Sequence, residues 1–374
     1  MNKIAVASDS FKGTLSSIEI CGIAERVIPE YFPECKVFAV PVADGGEGTV
    51  DCFLYLGAKP VKLKVTGPLF EKVTAVYAGM GDTAVIETAS AAGLPLAGED
   101  KDPEKTTTYG LGELIRHAVS SGYKKILIGL GGSATNDGGC GMAAALGAVF
   151  YDSRGVSFVP TGGTLCDIES VDLSGIKEFL SGIEVTAMCD VKNPLCGKNG
   201  AAYIYGPQKG ADEDMVKRLD KGLKQLSSVM KEACGIDISK RQGTGAAGGL
   251  GAGCVWFLKG TLKPGAAAIL GAAGFDSALS GADYVITGEG RLDSQSFSGK
   301  LLSEIKARAD RYGVPVIAIA GCIKKGDEEL FGDLKAVYLT SDRDAPMEEL
   351  KKYAKDNYES ALRRFCEDVR GGII

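Results

Sequence analysis

KIAVASDSFKGTLSSIE, Lys3–Glu19, spells a short apolar strand, a polar turn at Asp9 and Ser10, and the start of a helix under the capping-box pair Ser16 and Glu19. Four further apolar runs repeat the theme: KVFAVPVAD at Lys36–Asp44, DYVITGEG at Asp283–Gly290, PVIAIAG at Pro315–Gly321 and AVYLTSD at Ala336–Asp342. Helical stretches follow them, including Leu301–Tyr312 and Met347–Asp368. Continuous apolar strands separated by helices predict a parallel sheet covered on both faces. Two such units lie near the start of the chain and three near its end. The simplest arrangement is an α/β fold in which a flavodoxin-like, doubly wound parallel sheet, order 2-1-3-4-5, is built from residues 1–65 and 275–374. A second α/β domain, 66–274, interrupts it, with strands expected near Val73–Tyr77, Ala84–Glu87, Lys125–Gly129 and Glu184–Cys189 and helices near Leu111–Ser121 and Asp212–Ala233. Polar loops from both halves predict an active site in a cleft between the domains that closes on substrate and excludes water.

The densest chemistry is in KKILIGLGGSATNDGGCGM, Lys124–Met142, where a strand runs into six glycines threaded with Ser133, Thr135, Asn136 and Asp137. Glycines let successive N–H groups turn toward one point, so the loop is expected to cradle an anion, with a helix at Met142–Val149 adding positive potential. A tight strand-to-helix turn would need only two or three of them. Gly129, Gly131 and Ala134 also match G-x-G-x-x-A, with Asp152 farther on, which is a weak dinucleotide fingerprint; the inserted Thr135–Gly138 makes the turn longer and more polar than that fold uses.

Ligands of open α/β sheets collect at the carboxyl ends of the strands. There the sequence offers Asp9, Ser10 and Lys12 in DSFKGT, Asp44 and Glu47 in ADGGEGT, and Glu289, Arg291 and Asp293 in TGEGRLDSQS. Acids beside glycines at strand tips suit a magnesium–nucleotide site, because hard cations take carboxylate oxygens and keep several waters. In the inserted domain Asp190, Lys192 and Asn193 leave one strand end together, and YGPQKGA at Tyr205–Ala211 and GTGAAGGLGAG at Gly243–Gly253 add polar loops.

Composition narrows the partners. The 374 residues are 45% hydrophobic with a formal charge of −6, a mean hydropathy of +0.06 and a pI near 5.2. No basic cluster with interleaved aromatics offers a nucleic-acid surface, and no apolar run reaches membrane-spanning length, so neither nucleic acid nor membrane is an expected partner. Eleven cysteines without a C-x-x-C pair, and no leader ahead of the first strand, predict a reducing cytoplasm. His117 is the sole histidine and is expected on a helix surface, which disfavours histidine-based hydrolysis or metal ligation. Neither the P-loop spelling nor the protein-kinase set occurs. The residues by themselves therefore leave phosphoryl transfer or nucleotide binding ahead, with a NAD-dependent dehydrogenase and a non-catalytic small-anion-binding module as alternatives.

In order along the chain, DSFKGTLSS, PVADGGEGT, TTTYGLGELI, GLGGSATNDGGCGM, DVKNPLCG, YGPQKGA, GAAGGLGAG and GEGRLDSQS resemble the bacterial type I glycerate kinases. The resemblance implies transfer of the ATP γ-phosphoryl group to D-glycerate with Mg2+, usually at the 2-hydroxyl, giving 2-phosphoglycerate and ADP in glyoxylate or glucarate/galactarate catabolism; 3-phosphorylation is the alternative. It also implies a flavodoxin-like domain interrupted by a second α/β domain. Under that reading Asp190 is the expected general base, with Asp9 second; Lys12 and Arg291 face the transferring phosphate or the glycerate carboxylate. Magnesium is expected on Asp44, Glu289 or Asp293. Gly131, Gly132 and Ser133 offer N–H groups, and Ser10, Asn136, Asp137, Lys192 and Asn193 complete the substrate- and phosphate-binding set.

Overall fold

Ser16 begins the first helix as its spelling requires. Its hydroxyl accepts from the Glu19 N–H at 3.2 Å and the Glu19 carboxylate accepts from the Ser16 N–H at 2.9 Å, so two orphan amides are satisfied reciprocally. The helix, Ser17–Tyr31, buries Ile20, Ile23, Ala24, Val27 and Ile28 along one stripe. These features belong to a computed structural model, which describes residues 1–374 apart from 12, 44, 100, 298–300 and 342–346.

The chain separates into two compact units, Met1–Ala43 with Ala266–Ile374, and Asp44–Gly265. In the first, the strands Lys3–Val6, Lys36–Ala39, Tyr284–Thr287, Val316–Ala320 and Ala336–Leu339 form one all-parallel sheet. Counting them in chain order, their spatial order is 2-1-3-4-5, as the sequence predicts. Each residue of Val316–Ala320 is buried, as expected of an inner strand with helices on both faces. The C-terminal helix Met347–Arg370 covers the Ser17–Tyr31 helix, with Arg363 donating to Glu30 at 2.7 Å.

The second unit carries a six-stranded sheet in the order Thr261–Lys263, Glu184–Met188, Lys125–Gly129, Thr83–Glu87, Lys72–Met80, Lys59–Thr66. The first four are parallel and the last two antiparallel. The boundary drawn at 65 therefore shifts to 44, because Lys59–Thr66 pairs along its whole length with Lys72–Met80. At the other end Ala266–Gly274 joins the first unit, where Arg308 donates to the Ala267 carbonyl at 3.2 Å. A small antiparallel sheet of Val149–Tyr151, Ser157–Phe158 and Ser170–Asp172 was not expected. The helix expected at Met142–Val149 is instead Cys140–Ala145, since Gly147 turns to a φ of +109° and Val149 enters that sheet. Asp212 caps the longest helix of this unit, Glu213–Cys234, through the Met215 N–H at 2.8 Å.

Candidate active site

Within the second unit, Met188 and Gly129 are register partners at the carboxyl ends of adjacent parallel strands. The chain beyond each tip lines one cavity of about 210 Å³, whose wall includes Gly46, Gly131–Ser133, Asp190, Tyr205 and Lys209 over an apolar floor of Leu94, Leu130 and Met188. A concave site with few polar groups at strand ends is the usual place for a ligand in such a fold.

The glycine loop is held from beneath by backbone. Gly131 donates its N–H to the Gly45 carbonyl at 3.1 Å, so that amide does not face a ligand as the sequence suggested. Gly132 accepts from Leu94 N at 2.9 Å and Ala134 donates to Ala92 at 2.8 Å, whereas among the described residues the Gly132 and Ser133 amides have no acceptor. Gly138 N meets the Gly248 carbonyl at 3.1 Å, and a Cβ on Gly248, whose φ is +67°, would run into the Thr135 carbonyl oxygen. Much of the glycine content in these two loops thus serves backbone-to-backbone approach, not anion binding alone. The helix that follows has only six residues and supplies little of the dipole expected.

Asp137 also differs from its expected role. It is fully buried, and its carboxylate accepts from Thr108 N and Oγ1 at 2.8 Å each, from Gly139 N at 3.0 Å and from Gly141 N at 3.2 Å. Burial raises its carboxyl above the ordinary range, against the pull of those bonds. It ties the loop to the Tyr109–Ser120 helix rather than facing substrate. Asn136 is 1% exposed, and neither end of its amide has a partner among the described residues. Buried unpaired amides are rare enough to mark a place where a ligand or water completes the bonding.

Of the triple after Glu184–Met188, only Asp190 lines the cavity. It is exposed and accepts from Gly265 N at 3.1 Å. Asn193 braces its own loop instead, donating to Asn199 O at 2.8 Å and accepting from Tyr205 OH at 2.7 Å. Lys192 is solvent-exposed and is not part of the wall. The residue that sequence reading missed is Lys209, 2% exposed, with its Nζ on Ser133 Oγ at 2.9 Å and on Thr135 O at 2.6 Å. Its loop, Tyr205–Ala211, was singled out as polar, but a lysine between Gln208 and Gly210 reads as solvated until the fold buries it.

In the first unit the expected tips also meet. Ser8 Oγ and Asp9 N both donate to the Gly288 carbonyl, at 3.0 and 2.9 Å, which sets Asp9 and Ser10 beside the turn that carries Glu289. Asp9 accepts from Ser10 N at 2.7 Å. Arg291 is exposed and lies 3.6 Å from the Asp293 carboxylate. No group of three or more His, Cys, Asp or Glu poised to hold a metal occurs among the described residues. Lys12 and Asp44 lie outside those residues.

The dinucleotide fingerprint does not survive the geometry. Asp152 sits in a hairpin turn, accepting from Arg154 Nε at 3.0 Å and from Arg154 and Val156 N–H groups at 2.9 Å, and Gly131 is engaged with Gly45. His117 lies exposed on its helix with Nδ1 3.0 Å from Tyr77 OH.

Comparison with known proteins agrees with the motif order. The model of the glycerate kinase family matches residues 4–370. A glycerate kinase of Bacillus cereus is 43% identical over 97% of both chains, and glycerate 2-kinase of Escherichia coli K12 is 45% identical over 86% of this chain and 85% of its own. A crystal structure of a glycerate kinase 2 candidate from Salmonella typhimurium LT2 superposes with a TM-score of 0.87 at 39% identity, covering 99% of each chain. With the split parallel sheet, the strand-end cavity and a family match over nearly its whole length, the chain belongs to the glycerate kinase family.

Proposed function

We propose that this protein transfers the γ-phosphoryl group of ATP to the 2-hydroxyl of D-glycerate, releasing ADP and 2-phosphoglycerate. The observation that carries the reading is the family match over residues 4–370, to which the Escherichia coli glycerate 2-kinase adds the choice of hydroxyl. The cavity supports it chemically, combining an accessible carboxylate, a buried ammonium and two amides without acceptors.

In the reaction the glycerate oxygen forms a bond to the γ-phosphorus as the bridging bond to the β-phosphate breaks, and the hydroxyl proton passes to a carboxylate. Asp190 is our assignment for that base because, among the described residues, it is the proposed acid of this unit that lines the cavity wall; Asp9 is second. The Gly132 and Ser133 amides are placed to hold an anionic oxygen. Arg291 and Lys12 are assigned to the phosphate charge, and Ser10 to the same binding set. A magnesium ion bound with the nucleotide would neutralise phosphate charge, and Asp44, Glu289 and Asp293 are the acids offered for it, since this ion takes one or two carboxylates together with substrate phosphates. No helix of the described residues is long and apolar enough to cross a membrane, and the eleven cysteines are all free, which accords with a reducing compartment.

The test is a proton-coupled ³¹P NMR spectrum of protein, Mg-ATP and D-glycerate. A new phosphomonoester doublet is expected, because the 2-carbon bears one hydrogen. A triplet would assign the 3-hydroxyl, and no phosphomonoester at all would overturn the reading.

A further inference from the structure

A lysine with 2% exposure in the wall of a cavity is expensive unless its charge is answered. Lys209 has two oxygen acceptors, Ser133 Oγ and Thr135 O, both neutral. Its third N–H has no acceptor among the described residues, and no carboxylate there lies within ion-pair distance. Ser133 is itself at the cavity wall with an amide that has no acceptor among the described residues, so the Lys209 ammonium and that N–H meet at the same short segment of the glycine loop. The cavity, about 210 Å³, falls below the roughly 300–1,000 Å³ typical for drug-sized ligands. It is large enough for a three-carbon acid.

We propose that Lys209, with the Ser133 amide, receives the carboxylate of the bound hydroxy acid, making it a catalytic-site residue that fixes the acceptor substrate. This rests on the glycerate kinase reading and goes beyond it by naming the subsite. Asp190 lines the same cavity, so a glycerate anchored by its carboxylate at Lys209 would hold its hydroxyls in the space that Asp190 borders.

The assignment carries a proton signature. Burial pulls the free Lys209 ammonium down to about 7, an effect opposed by the charge of Asp137. The wall also carries Asp190, Cys189 and Tyr205; burial pushes the Cys189 thiol and the Tyr205 hydroxyl up, so both stay neutral near that pH. Below about 7 Lys209 is charged with or without ligand, and affinity is flat. Above it, the free protein must take up a proton to pair with a carboxylate, so affinity for glycerate falls as pH rises.

Calorimetry of the wild-type protein at pH 8 in two buffers of different ionisation enthalpy reads this directly. Uptake approaching one proton is expected on binding D-glycerate, and little on binding a non-hydrolysable ATP analogue with magnesium. Absence of uptake with glycerate, or uptake with the nucleotide alone, would overturn the assignment. Lys209→Met is expected to raise KM for glycerate by about 10²-fold, as loss of one partner of a buried charge pair does, and to abolish its rise above pH 7; an unchanged pH profile would count against the role. Wild-type turnover of D-glycerate is measured alongside, so that its failure tells against the activity and a silent Lys209→Met tells only against the subsite.

Discussion

Asp190 and Asp137 are two aspartates near one loop system with opposite engagements. Asp190 is exposed, accepts from the Gly265 amide and lines a cavity; Asp137 is enclosed and accepts from four donors. Substitution by Asn should separate them. Asp190→Asn is expected to lower kcat by roughly 10²- to 10⁴-fold with an unchanged melting temperature, as loss of a general base does. Asp137→Asn sets an NH2 group against N–H donors and is expected to cost about 1–3 kcal/mol of stability, seen as a lower denaturation midpoint. A normal kcat for the first variant removes Asp190 from the base role, and a normal midpoint for the second denies Asp137 its bracing role. In sequence the two are hard to tell apart, both being acids in a polar loop that follows a strand. What separates them is the Thr108 amide and hydroxyl that tertiary folding brings to Asp137 from 29 residues away. The same cause hid Lys209, whose burial comes from packing and not from any local pattern.

At the scale of elements, glycine positions divide by what a methyl group would meet. Gly22 lies on the exposed side of the Ser17–Tyr31 helix, where an added Cβ would find nothing within 4 Å, whereas Gly248 abuts the Thr135 carbonyl at positive φ. Gly22→Ala should therefore stabilise by roughly 0.5–1 kcal/mol, through helix propensity and a less flexible unfolded chain. Gly248→Ala should destabilise by more than that and disturb the glycine loop. Chemical denaturation of both variants checks the pair, and a stable Gly248→Ala would mean that the two loops do not need their close approach. The strands of the first sheet were readable because inner parallel strands are apolar throughout. Lys59–Thr66 was not, because KPVKLKVT carries lysines at 59, 62 and 64 and a proline at 60, the marks of a protected edge strand. Thr261–Lys263 is only three residues long, too short for a periodic signal.

Over the whole molecule, the split topology follows from where the apolar runs fall, and 2-1-3-4-5 is the common doubly wound order that five strands fill. The position of the interruption was less legible, since 44–65 joins the second unit through pairing partners that lie later in the chain. One consequence concerns synthesis. Lys3 bonds to Asp283, 280 residues later, so at about 5–20 residues per second the first strand waits on the order of tens of seconds for its inner neighbour. The continuous stretch 44–265 has all its own sheet partners in hand before then. Ribosome-bound chains halted once Gly265 has cleared the exit tunnel are expected to resist protease across 44–265 while residues 1–43 remain cleavable, and equal resistance of both would contradict that sequence of events. Until then the opening strand has only Lys36–Ala39 as a neighbour, and its other edge stays open to any strand that can add to it, which makes the newly made first forty residues the part of the chain most in need of shielding.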